Sequence, residues 1–169
     1  MTLLIIRHGE TPLNVTRVLQ PADTPLSANG LAQAGALAQR LAGDAALRPT
    51  ALVSSDLPRA LQTAQAIAAA CGLPLITSPL LHERNFGDLR GLAYDTLGFD
   101  PLTRDEAPAN GESTAQFSAR CAAAFAWVLA QQAALGHPQA RLAVVSQGLV
   151  IRQWLQHGTL RLPAGLTAP

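Results

Sequence analysis

The chain has 169 residues, and its twelve Lys+Arg against eleven Asp+Glu leave a formal charge of +1. All twelve cations are arginine, which excludes Schiff-base and lysine-nucleophile chemistry and any lysine-dependent phosphate loop. A near-neutral balance argues against nucleic acid or an anionic membrane as partner, since both need a clustered basic field, and 49% hydrophobic residues with only 4% aromatics point to one Ala/Leu-rich helical domain over 1–169 rather than an aromatic-rich sandwich.

In chain order, Thr2 to Ile6 is a short apolar run that predicts a strand buried on both faces. Arg7, His8 and Glu10 break it too early for a signal peptide, and no positive n-region precedes it. A turn-rich stretch with Pro12, Pro21 and Pro25 runs to about Asn29. Leu31 to Leu41 has helical spacing, with Ser27 as its cap. Ala51 to Ser54 predicts a second strand and Leu57 to Cys71 a helix stopped by Gly72 and Pro74. Leu75 to Thr77 predicts a third strand, and Pro79 to Asn110 is irregular. Ser113 to Leu135 is the longest helical pattern, with Glu112-Ser113 as its cap, and it stops at Gly136 and Pro138. Arg141 to Ser146 is the last clear strand, Leu149 to Gln156 the last clear helix, and Leu160 to Leu162 a short strand at most. Strands separated by helices of this length imply parallel pairing through crossovers. The expected fold is therefore α/β, a three-layer sandwich with a mostly parallel central sheet flanked by helices. Cys71 and Cys121 sit among alanines and read as buried free thiols. No run approaches the ~18–20 apolar residues of a bilayer span, so a soluble cytoplasmic protein is expected.

Ligands of a parallel α/β sheet bind beyond the carboxyl ends of its strands. Arg7-His8-Gly9-Glu10-Thr11 follows the first strand, Ser54-Ser55-Asp56-Leu57-Pro58-Arg59 the second, Leu81-His82-Glu83-Arg84 the third and Ser146-Gln147-Gly148 the last. Converging, these loops would supply two guanidiniums, an imidazole and a carboxylate, which suits phosphoryl transfer. An imidazole is a nucleophile near neutrality, two arginines can hold phosphoryl oxygens by bidentate hydrogen bonds, and a carboxyl group can protonate a leaving oxygen and then deprotonate a water. Gly9 would let the backbone pass close to the phosphate.

The chain resembles the histidine phosphatase, or phosphoglycerate mutase-like, family along most of its length. Leu4 to Thr11 with Asn14, Asp23-Thr24-Pro25-Leu26-Ser27 with Gly30, Gln33 and Ala34, and Ser54 to Ala64 look like its first three motifs. Glu83 with Phe86-Gly87 and Gly91, then Asn110-Gly111-Glu112-Ser113, complete five ordered blocks. The resemblance implies that His8 becomes phosphohistidine, that Arg7 and Arg59 bind the phosphoryl oxygens, that Glu83 is acid and then base, and that Asn14 is a secondary contact. It implies no metal and no cofactor, and a small phosphorylated substrate as the partner; the residues carry no signature of which ester, nor of an oligomeric state.

The chain departs from the family at Gln147, where a second histidine is expected in the phosphate pocket. A glutamine amide can donate but cannot carry charge. Losing a charged transition-state donor costs ~3–4 kcal/mol, or ~10²–10³ in rate, so slow turnover with phosphate binding largely kept is expected. Four readings of Gln147 stand open: a weak phosphatase, a phosphoester binder with little turnover, a substitution introduced to trap a ligand, or a pocket that recruits His82, His137 or His157. The short stretch between Glu83 and Gly111 favours a phosphatase with an open pocket over a mutase, whose corresponding region is a long enclosing insertion. Arg84 and Arg90 flank the acid block and are candidates for a substrate's second anionic group; Arg17, Arg40, Arg48, Arg120, Arg141 and Arg161 read as solvated charges.

Overall fold

A computed structural model of the chain describes residues 1–158 and 160. Four strands, β1 (Thr2–Arg7), β2 (Ala51–Ser54), β3 (Leu75–Thr77) and β4 (Arg141–Ser146), form one sheet in the order β1-β4-β2-β3, every pair parallel. The register runs from Thr2 opposite Arg141 to Arg7 opposite Ser146, and Ala51 faces Leu142 on the other side of β4.

Both faces of the sheet are covered, as the continuous apolar strands require. Leu142 and Val144 point into a core shared with Phe117, Cys121 and Val128 of α4 (Thr114–Ala134) and with Val150 and Trp154 of α5 (Gly148–Gln156). Ala143 and Val145 point the opposite way, to Ala38 and Leu41 of α2 (Ala28–Gly43) and Ala60, Ala64 and Ile67 of α3 (Pro58–Cys71). This is the expected three-layer arrangement. The two thiols are free and buried in opposite layers, Cys71 with α3 and Cys121 with α4. Among the described residues no helix is long and apolar enough to cross a membrane.

The helix starts follow the capping residues. Ser27 accepts from the Gly30 amide at 3.0 Å, and Ser113 and Gln116 exchange the two hydrogen bonds of a capping box. Glu112 takes no part in that cap and instead pairs with Arg120. Within the turn-rich stretch Thr11 caps a short helix, α1 (Pro12–Val15). The irregular stretch after β3 contains three single-turn 3₁₀ helices, Pro79–Leu81, Gly87–Leu89 and Tyr94–Thr96. The strand expected at Leu160 to Leu162 falls, apart from Leu160, outside the described residues.

The strand order has a direct consequence for function. Because β4 lies between β1 and β2, the loops after positions 7, 54 and 146 end side by side at one edge of the sheet.

Candidate active site

His8 follows β1 and is 7% exposed. Its amide donates to Ser146 O of the neighbouring strand at 3.2 Å, which fixes the residue at the sheet edge. Its Nδ1 lies 2.7 Å from Gly9 O. A carbonyl only accepts, so Nδ1 carries the proton and the Nε2 lone pair is left free. Burial, aided by the positive Arg59 and Arg7, lowers the imidazole from 6.5 to about 4, against the opposing pull of the Gly9 hydrogen bond. The ring is therefore neutral and nucleophilic at physiological pH. Gly9 itself does not line the cavity. Its missing side chain serves packing instead, since a Cβ there would stand 2.6 Å from Gly30 O; the expectation that Gly9 clears space for the phosphate is replaced by a helix–loop contact.

Two arginines flank the imidazole. Arg7 rests against the start of α5, where a Cβ on Gly148 would meet its Nε at 3.3 Å. Arg59, in the first turn of α3, is 2% exposed. Its Nε donates to Gln147 Oε1 at 3.0 Å, and one terminal nitrogen reaches Pro21 O at 3.4 Å. A guanidinium has only donors, so Gln147 must turn its carbonyl to Arg59 and its amide to Ser55 Oγ at 3.3 Å. Gln147 is wholly buried and does not line the cavity. With its carbonyl on Arg59 and one amide N–H on Ser55, Gln147 orients Arg59 and has one further N–H to give.

The carboxylate comes from beyond β3. Glu83 Oε2 accepts from the Leu149 amide at the N-terminus of α5 at 3.2 Å, and Oε1 from the Arg84 amide at 3.0 Å. Burial raises its pKa above the usual carboxylate value, opposed by those two hydrogen bonds and by Arg59 and Arg7. Arg120, expected to be a solvated charge, holds this loop. All five of its N–H groups are used: two on the Glu112 carboxylate at 2.7 and 2.8 Å, the others on the carbonyls of Leu80, His82 and Glu83. The spacing of Glu112 and Arg120 across the first turns of the long helix was the available signal. Arg84 is also structural, 4% exposed and donating to the carbonyls of Glu112, Pro101 and Arg104. Arg90 does not line the cavity either, although its charge acts on Arg59 and its buried Nε has no hydrogen-bond partner among the described residues.

Arg7, His8, Asn14, Arg59 and Glu83 share one open cavity of about 680 Å³. Asn14 accepts from the Thr11 amide at 3.2 Å through Oδ1, which leaves its Nδ2 as the donor available to the cavity. Leu13, Leu19, Phe86 and Leu149 supply apolar wall, and Tyr94 with the 3₁₀ segment around it closes one side. None of His82, His137 and His157 lines it; His82 lies 2.5 Å from Asp56. Among the described residues no group of His, Cys, Asp and Glu could hold a metal ion. A neutral imidazole flanked by two guanidiniums, facing a carboxyl group whose pKa burial raises, is equipped for phosphoryl transfer.

Known proteins carry the same assembly of elements. A mycobacterial glucosyl-3-phosphoglycerate phosphatase is 32% identical with a TM-score of 0.77, over 95% of this chain and 80% of that one. An Escherichia coli protein provisionally described as an alpha-ribazole-5'-P phosphatase is 30% identical with a TM-score of 0.77, over 97% and 81%. Phosphoglycerate mutase-like protein 4 of Arabidopsis thaliana is 36% identical over 162 residues, 89% of this chain and 67% of that protein. A Yersinia pestis protein provisionally described as the phosphoglycerate mutase GpmB is 42% identical over 98 residues, and this chain spans 44% of its length. Residues 3–166 match the histidine phosphatase superfamily, branch 1. The chain therefore belongs to the histidine phosphatase superfamily, and its enzyme class is that of phosphatases and mutases.

Proposed function

We propose that the protein is a phosphomonoester hydrolase working through a phosphohistidine on His8. The observation that carries this reading is the buried imidazole whose Nδ1 is held on Gly9 O, leaving Nε2 as a neutral nucleophile in the cavity of Arg7, Arg59 and Glu83. In the first step the Nε2–P bond forms and the bond from phosphorus to the leaving oxygen breaks, with the Glu83 proton passing to that oxygen. In the second, water attacks phosphorus, the N–P bond breaks, and the water proton returns to Glu83. Arg7 and Arg59 take the charge of the equatorial oxygens in both steps, with Asn14 Nδ2 as a further donor. Rapid quench with a labelled ester should trap an acid-labile, alkali-stable phosphoprotein. The same adduct on His8→Ala would remove the assignment.

Gln147 favours slow turnover, because Arg59 gains an orienting acceptor while the phosphoryl group gains no second imidazole. Gln147→His should raise hydrolysis of p-nitrophenyl phosphate about a hundredfold. Equal rates in the two proteins would show that the glutamine costs nothing. A wild type that binds phosphate esters without measurable turnover would support the second reading, a phosphoester-binding protein. Mutase activity is disfavoured by the short stretch between Glu83 and Gly111, where the resemblance implies a long enclosing insertion in mutases.

A further inference from the structure

The chain contains two Asn-Gly dipeptides, Asn29-Gly30 and Asn110-Gly111, and both asparagines are exposed. A glycine puts no side chain in the way when its backbone nitrogen approaches the carboxamide of the preceding asparagine, so both pairs are open to self-modification in a free chain. The fold treats them differently.

Asn29-Gly30 sits in the first turn of α2. The Gly30 amide is committed to Ser27 Oγ at 3.0 Å, and Gly30 is buried against Glu10, whose carbonyl oxygen would stand 2.0 Å from a Cβ there. Swinging Gly30 N towards Asn29 Cγ would undo the start of a 16-residue helix. Asn110-Gly111 lies instead in the loop before α4. Asn110 holds a left-handed backbone, φ 59°, which a residue with a Cβ adopts at a cost that rotation would release. Its Nδ2 donates to Asp88 Oδ1 at 2.9 Å, its carbonyl accepts from Asn85 Nδ2 at 3.0 Å, and the Gly111 amide donates to Pro108 O at 2.9 Å. A local opening has only these exposed contacts to break.

The loop backs directly onto the segment that carries Glu83. A Cβ on Gly87 would stand 2.6 Å from Gly111 N and 2.7 Å from Asn110 C, and one on Gly111 would stand 2.7 Å from Asn85 O. The two backbones thus touch with no room for one more carbon. They are tied besides by Glu112 N to Asn85 O at 2.8 Å and Asn85 N to Glu112 Oε2 at 2.9 Å, and Asn85 is two residues beyond Glu83.

We propose that Asn110 is a spontaneous modification site whose conversion to isoaspartate unseats the acid loop. Gly111 N bonds to Asn110 Cγ, the Cγ–Nδ2 bond breaks, and the proton from Gly111 N leaves with Nδ2 as ammonia. Water then opens the succinimide. Cleavage of the Cγ–N bond gives aspartate, and cleavage at the main-chain carbonyl gives isoaspartate, whose backbone runs through Cβ and Cγ. That extra backbone carbon enters a contact that cannot hold it, and the new carboxylate faces Asp88. The effect on catalysis rests on the hydrolase reading above; the modification does not.

The full chain is aged in warm, mildly alkaline buffer and followed by peptide mass spectrometry and by methyl incorporation with an isoaspartate methyltransferase. Isoaspartate should build up at Asn110 well ahead of Asn29, faster at higher pH because the attacking nitrogen must give up its proton. The modified fraction, separated by its added negative charge, should show a lower urea midpoint and a kcat for p-nitrophenyl phosphate about tenfold or more below that of the fresh protein. Asn110→Gly, which suits φ 59° and cannot cyclise, should keep both values through ageing. Asn110→Asp adds charge without lengthening the chain, and a loss as large as that of the isoaspartate form would overturn the lengthened backbone as the cause. No product at Asn110, Asn29 converting as fast, equal decay of wild type and Asn110→Gly, or a modified fraction with unchanged urea midpoint and kcat overturns the proposal. A fresh protein without turnover overturns the hydrolase reading alone, and the mass and urea measurements then decide the site.

Discussion

His8 and Glu83 are displaced in opposite directions from their ordinary values, and burial is the leading cause in both. Desolvation disfavours the charged form of each, so the imidazole sheds its proton and the carboxyl holds its proton to higher pH than usual. That is the pair of states the first step of phosphoryl transfer needs. It follows that kcat/KM should rise as pH passes about 4, where His8 becomes neutral, and fall as pH climbs through the raised pKa of Glu83. Glu83→Gln should remove the falling limb. A rising limb near 6.5, the ordinary histidine value, would mean that the nucleophile is not desolvated. The meeting of these two residues with Arg7 and Arg59 in one cavity was legible because each sits within a few positions of a strand end. Arg84 and Arg120 were not. An arginine's sequence position does not say whether its five donors meet water or carbonyls, and these two meet carbonyls of loops far away along the chain.

The acid loop shows how one element is set by another. It leaves β3 through a 3₁₀ turn and has little regular structure of its own, so its geometry depends on α4 through Arg120. Arg120→Ala would leave three carbonyls and Glu112 Oε1 without donors, with Oε2 keeping only the Asn85 amide, a loss of about 2–3 kcal/mol. Since Glu83 is the group displaced, kcat should fall about tenfold or more while KM changes less, and the falling limb of the pH profile should shift. Arg120→Lys should rescue stability in part and kcat poorly, because an ammonium cannot span the carboxylate and three carbonyls together. Unchanged kcat in a folded Arg120→Ala protein would show that the loop holds itself. The loop between β1 and α2 is braced differently. Glu10 accepts from Ser27 and Asn29, and Gly9 and Gly30 let the two backbones touch.

At the scale of the whole molecule, a desolvated histidine links the site to stability. His8 has a folded pKa of about 4 against 6.5 when exposed, so between those values the unfolded chain binds the proton and the folded chain does not. Stability should therefore fall as pH drops through that window, by about 3 kcal/mol from this residue. Glu83 opposes it: its raised pKa contributes stability that is complete below 4.5 and is lost as pH rises through its folded value. Urea midpoints of His8→Asn should thus decline less than those of the wild type between neutrality and mild acid. Parallel declines would place the acid sensitivity elsewhere.

The sequence by itself determined the elements and where the candidate site residues stand on them. Apolar strand runs, Ser27 and Ser113 as caps, and reactive residues directly after strands are all local patterns, and the parallel three-layer fold follows from their alternation. Only the tertiary structure decided what each polar side chain does with its hydrogen bonds. Gln147 stood where a phosphate donor was expected, but the donor-only chemistry of Arg59, 88 residues away, turns its carbonyl inward. Arg120 read as a solvated charge until the fold brought the loop after β3 against α4, where its five donors meet Glu112 and three carbonyls. Hydrogen-bond partnership is a property of space, and the chain reveals it only once parallel pairing brings distant loops to the same edge.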